Sequence, residues 1–159
     1  MAGMDVSTCI WFDGDIEEAA EFYVSLVPGS TLGAVTRYPD PNTFPGGEAG
    51  APLTVELSLG GVPYMLLNGG PMFPLTEAVS IVVVVDGQEE VDRLWDALVA
   101  DGGAESQCGW CKDRFGLSWQ VVPRRYLELA AGPNGNAVNM AMLEMQKLDV
   151  AALEAAAAG

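Results

Sequence analysis

One stretch of this chain is written twice, and the repeat limits the possible folds more than any other feature. Glu17-Glu18, Phe22, Tyr23 and Leu26 match Glu89-Glu90, Leu94, Trp95 and Leu98 at one constant offset. Gly61-Val62-Pro63-Tyr64-Met65 matches Gly116-Leu117-Ser118-Trp119-Gln120 at a smaller one. Internal repeats of this length mean that one supersecondary unit has been used again. The loss of offset is absorbed by a proline–glycine loop and by longer strands in the first copy.

Each copy reads as strand, helix, then strands. In the first, residues 7–12 form a strand and Asp13-Gly14-Asp15 turns the chain. Asp15 is a good N-cap, and Glu17 and Glu18 sit where the helix dipole favours negative charge. Ala19, Phe22, Tyr23 and Leu26 recur at helical spacing, and Pro28-Gly29 stops the helix. Residues 30–38 read as a strand. Residues 39–52 hold four prolines and three glycines, which predicts a mobile loop. Leu53, Val55, Leu57 and Leu59 alternate with polar residues, as in a half-buried strand. Gly60-Gly61 then turns into a strand over 62–67.

The second copy begins with a strand over 80–85, turns at Asp86-Gly87, and continues as a helix over 89–100 with Val91, Leu94, Trp95 and Leu98 inward. Short strands follow near 105–108 and 110–112, then a turn at 113–116 and a closing strand over 117–122. After Pro123 the chain becomes helical, over 136–147 and again over 151–158. The expectation is one α+β domain over 1–159, with module one at about 5–70, module two at about 78–123 and a helical extension at about 124–158.

Composition narrows the partners. Asp and Glu number 22 against 7 Lys and Arg, a formal charge of −15. Such a surface repels nucleic-acid backbones and anionic membranes. No histidine is present, which removes the commonest general base and a common metal ligand. The longest apolar run, 81–85, is a strand's length rather than a membrane span. The first residues lack the pattern of a secretory leader, so a cytoplasmic location is expected. Cys9, Cys108 and Cys111 imply no disulfide framework.

Several segments together resemble the vicinal oxygen chelate superfamily (glyoxalases, bleomycin-resistance proteins and extradiol dioxygenases), and within it the PhnB-like branch often labelled 3-demethylubiquinone-9 3-methyltransferase. They are Trp11-Phe12-Asp13-Gly14, residues 15–23 after the first strand, Leu67-Asn68-Gly69-Gly70-Pro71, Cys108-Gly109-Trp110, residues 112–123 and residues 142–149. The resemblance implies two tandem βαβββ modules forming a cupped mixed sheet with flanking helices and a C-terminal helix, assembled as a homodimer. The methyltransferase label implies a glycine-rich strand-to-helix loop for S-adenosylmethionine. Gly46-Gly47 and Gly69-Gly70 do not open helices, so no such cofactor is expected.

The resemblance also implies four inward positions for a divalent metal, which fall on Thr8, Met65, Ser80 and Gln120. A thioether, an amide and hydroxyls supply no negative charge, so no metal is expected there. The face expected to bind a small organic ligand comprises Thr8, Ile10, Phe12, Met65, Ser80, Trp110 and Gln120, with Trp11 and Trp119 turned towards the helices. Glu56 is the one candidate base. Cys108-Gly109-Trp110-Cys111 lacks the helix that a redox CxxC uses, and Lys112-Asp113-Arg114 reads as a solvated turn. Three readings of function remain: ligand binding without a metal, a metal-independent lyase, isomerase or transferase, and drug sequestration.

Overall fold

The computed structural model describes residues 3–159. The chain divides into two compact units, residues 1–75 and 76–159. The first holds β1 (Thr8–Phe12), α1 (Ile16–Leu26), β2 (Thr31–Arg37), β3 (Pro52–Leu59) and β4 (Val62–Asn68). The second holds β5 (Ser80–Val85), α2 (Gly87–Val99), β6 (Ala104–Glu105), β7 (Trp110–Lys112) and β8 (Ser118–Pro123), followed by α3 (Arg124–Ala130), α4 (Gly135–Leu143) and α5 (Val150–Ala158). Among the described residues, no helix is long and apolar enough to cross a membrane.

Each unit carries one four-stranded mixed sheet, ordered β1-β4-β3-β2 in the first and β5-β8-β7-β6 in the second. In both, the opening strand pairs parallel with the closing strand and the remaining pairs are antiparallel. The repeat in the sequence is therefore a repeat of topology, a tandem α+β βαβββ arrangement. It follows from one amphipathic helix per copy needing one sheet face to bury its apolar stripe.

In the first unit that stripe is Ile16, Ala19, Ala20, Tyr23 and Leu26. It packs on Ile10, Phe12, Val55, Leu57, Leu59 and Leu66, all buried. In the second, Val91, Leu94, Trp95 and Leu98 meet Ile81, Cys111, Trp119 and Val121. The alternation expected of β3 and the inward residues expected of α2 are those observed.

The 39–52 loop is tied to the first sheet by side-chain contacts. Tyr38 is buried, its hydroxyl donates to the Asn68 and Pro45 carbonyls, and Asn42 Nδ2 donates to Gly47 O. Gly47 lies flat on the Tyr38 ring, where a Cβ would come within 2.1 Å of it. The helix expected over 136–147 ends at Leu143. Beyond it the carbonyls of Met145 and Gln146 accept hydrogen bonds from Cys108 N and Gly109 N, and these bonds compete with a continued helix. The expected strand near 105–108 is correspondingly short, because the backbone of 108 and 109 pairs with this segment instead.

Candidate functional site

Strand parity gives each sheet a face covered by its own helix and a face turned away from it. On the first sheet, Cys9 stands in register with Met65, and Met65 with Glu56. These three residues form a row across β1, β4 and β3 on the face away from α1, and Trp11 and Leu67 form the next row along. Beside Glu56 lies Gly33, whose absent Cβ would sit 3.0 Å from Glu56 Cβ. The register of β2 shifts there, so a bulge and a glycine together let β2 approach β3 closely at Glu56.

This register corrects the expected face. Thr8 is in register with Tyr64, and Ile10 and Phe12 are 5% and 3% exposed beneath α1. Thr8, Ile10 and Phe12 therefore share the helix-side parity, not that of Met65, and Trp11 rather than Phe12 is on the far face. The cause is a single residue. Between strand and helix the first copy has Asp13-Gly14-Asp15-Ile16 before Glu17-Glu18, whereas the second has only Asp86-Gly87-Gln88 before Glu89-Glu90. The structure spends that extra residue on two consecutive left-handed positions, Gly14 (φ 86°) and Asp15 (φ 51°), where the second copy has one, Gly87. Counting back from the helix thus slips by one, and a slip of one exchanges the faces of a strand. The first-strand partner of Ser80 is Ser7, and that of Val82 is Cys9.

A cavity of about 650 Å³ opens on the first sheet. Its walls include the arm of Asp5, Val6 and Ser7, the Glu56 and Met65 side of the sheet, and Gly33. The size falls within the range of small-molecule sites. Asp5 and Glu56 are its carboxylates, and among the described residues neither accepts a hydrogen bond nor forms an ion pair.

The wall that holds Trp11 is built from the glycine-rich motifs. Trp11 Nε1 donates to Gly70 O at 2.8 Å, and its indole meets Phe73 edge-on at 5.0 Å. A Cβ on Gly69 would come within 2.2 Å of the indole. Asn68 ties the knot by accepting from Gly14 N and donating to Pro52 O. These glycines admit aromatic rings.

On the second sheet, Ser80, Val82, Gln120 and Trp110 share the face away from α2, as Val82 and Trp110 both stand in register with Gln120. Gln120 Nε2 donates to Ser80 Oγ at 2.9 Å. Ser118, next to Ser80 in register, is buried with its hydroxyl unpartnered among the described residues. Trp119 is buried on the α2 side, as expected. Asp113, expected in a solvated turn, is instead 2% exposed. Its carboxylate accepts from Phe115 N, Leu117 N and Trp119 Nε1, so it braces the β7–β8 hairpin from within. Burial, reinforced by Asp113 and Glu105, pushes the Cys111 thiol up to about 12. Such a thiol holds its proton at neutral pH and is a poor nucleophile.

The family described as 3-demethylubiquinone-9 3-methyltransferase matches residues 4–122. The chain belongs to this family. It is the PhnB-like branch of the vicinal oxygen chelate superfamily. A Bacillus cereus PhnB protein carrying the same description is 27% identical, with a TM-score of 0.67 over 76% of this chain and 99% of that one. A Pseudomonas aeruginosa protein is 24% identical, with a TM-score of 0.62 over 76% of this chain and 98% of that one, and shows the same fold. No curated protein matches.

The groups that the family's names imply can be tested against these residues. In this PhnB-like chain the residues around Gly46-Gly47 and Gly69-Gly70 do not fit S-adenosylmethionine. Tyr38 and Trp11 fill the space a nucleotide would need, and the mixed βαβββ sheets lack the doubly wound parallel order of dinucleotide-type folds. A divalent metal fits no better. Among the described residues no three of His, Cys, Asp and Glu gather in one place. The donors there are a thiol, a thioether, an amide, hydroxyls and the carboxylates of Asp5 and Glu56, which do not make the three-ligand cluster of a catalytic ion.

Proposed function

We propose that this PhnB-like protein binds a small organic molecule on the far face of its first sheet, without a conventional metal. The cavity of about 650 Å³ against Glu56 and Met65 carries this reading. Ile10 and Phe12 lie in the core and Thr8 shares their parity, so the first-strand contribution passes to Ser7 and Cys9. Met65 stays among the proposed contacts, and Ser80, Trp110 and Gln120 are candidates on the second sheet only. The same reading includes a homodimer, supported by the exposed apolar side chains Met140 and Leu143 of α4, and a cytoplasmic location. A monomer by light scattering would remove the dimer.

The test is a thermal-shift screen of small organic molecules against the full chain and its Met65→Trp variant, which fills the cavity. Compounds that stabilise the parent should fail to stabilise the variant. Equal stabilisation of both would place binding elsewhere.

A second reading, an enzyme on the same site, is favoured by the unpartnered Glu56 carboxylate on the cavity wall. A positioned carboxylate can act as a general base when it lies within hydrogen-bond reach of the proton it takes. Turnover of a bound compound that disappears in Glu56→Gln would support it, and turnover unchanged in that variant would reject it.

A further inference from the structure

The charge census of the chain identifies the kind of ligand this cavity takes. The chain has seven basic side chains. Each is committed to carboxylates elsewhere: Arg37 to Glu17, Arg93 to Glu90, Lys112 to Glu77, Arg114 to Asp101, Arg124 to Asp86, Arg125 to Glu128 and Glu154, and Lys147 to Asp92 and Asp96. None of them lines the cavity, whereas Asp5 and Glu56 do. The rest of the wall is apolar or neutral, with Val6, Pro63 and Met65 among it.

Resting on the reading of this cavity as the binding site, we propose that its ligand carries a positive charge: an organic amine or quaternary ammonium on an apolar body. A carboxylate, phosphate or phosphonate ligand would bring a third negative charge into a site that no basic side chain of the described residues lines, inside a chain of formal charge −15. A cation supplies the partner that this sequence withholds from Asp5 and Glu56. The bulge at Gly33 is consistent with this role. It lets β2 pass close to the backbone and Cβ of Glu56, where a side chain would press on that residue.

The experiment uses three naphthalene probes that differ only in a trimethylammonium, a hydroxymethyl or a carboxylate substituent. They are titrated into the full chain at low and high salt. The ammonium probe should bind about ten-fold more tightly than the alcohol at low salt, with the gap closing at high salt, and the carboxylate should bind least. Glu56→Gln and Asp5→Asn should each weaken the ammonium probe several-fold and leave the alcohol unchanged. Both residues are exposed, and unchanged melting temperatures would confirm that the variants are folded. Equal binding of the three probes, or preference for the carboxylate, overturns the charge assignment but leaves the cavity as a site. An ammonium preference unaltered in both variants reports only the overall charge and also overturns it. Failure of every probe to bind overturns the cavity reading itself.

Discussion

The two copies of the βαβββ unit share strand order, pairing and helix packing, yet differ in where they place their chemistry. The first copy turns from β3 to β4 through Gly60 and Gly61, both left-handed, and leaves the Glu56 carboxylate unpartnered on its far face. The second copy closes its hairpin around the buried Asp113, which spends its oxygens on two backbone N–H groups and the Trp119 indole. The Asp113 carboxylate is satisfied within the fold, whereas that of Glu56 has no partner among the described residues. The cysteines divide in the same way. Cys9 is exposed on the far face of the first sheet, while Cys111 lies in the core of the second. The two copies thus differ in whether these polar side chains are buried and paired or exposed.

The largest difference should appear in thiol chemistry. Alkylation of native protein at pH 8 should modify Cys111 at least about a hundred-fold more slowly than Cys9 and Cys108, because thiolate and access are both denied it. Peptide mapping of the labelled protein checks this. The sign of the linked pH effect follows from the raised pKa. Above the ordinary thiol range an unfolded Cys111 loses its proton while the folded one keeps it up to about 12. Its contribution to stability is therefore complete below about 9 and declines as pH rises from there towards 12. A Cys111→Ala variant should show a weaker alkaline loss in urea titrations.

Next in size is Asp113→Ala. It strands buried donors and should cost roughly 3 kcal/mol, read from urea unfolding. Glu56→Ala in the first copy should change stability by less than about 0.5 kcal/mol, and a large loss there would break the contrast between the carboxylates. Gly69→Ala, which drives a Cβ into the Trp11 indole, should cost about 2 kcal/mol and alter tryptophan fluorescence. A small effect of the opposite sign belongs to the extra residue of the first turn. Asp15→Gly relieves a left-handed non-glycine position and should be neutral or stabilising by about 0.5 kcal/mol.

Much of the fold was legible because its signals are periodic. The helical spacing of Val91, Leu94, Trp95 and Leu98 and the alternation of Leu53 to Leu59 follow directly from burial on one face. The face of β1 was not legible. Thr8-Cys9-Ile10-Trp11-Phe12 holds no charged residue and carries little alternation of its own, so its parity rested on counting from the helix across a turn whose length differs between copies. Only the register with Met65 fixes it. Asp113 was missed for a different reason. Its turn context, Lys112-Asp113-Arg114, resembles solvent-facing sequence, and the cue that it is buried lies six residues on, in an indole needing an acceptor. Glu56 was legible as the strand carboxylate opposite the apolar row. Asp5 and Gly33 were not, since neither belongs to a motif and the cavity alone brings them beside it.

Methyl NMR of the methionines tests the central claim most directly. The chain has seven, of which Met65 lies on the cavity wall and Met140, Met142 and Met145 belong to the C-terminal extension. Addition of the ammonium probe should shift the Met65 methyl resonance in proportion to occupancy and leave those of the extension in place. A shift confined to the extension, or a Met65 resonance that does not move while the probe binds, would contradict a ligand site on the far face of the first sheet.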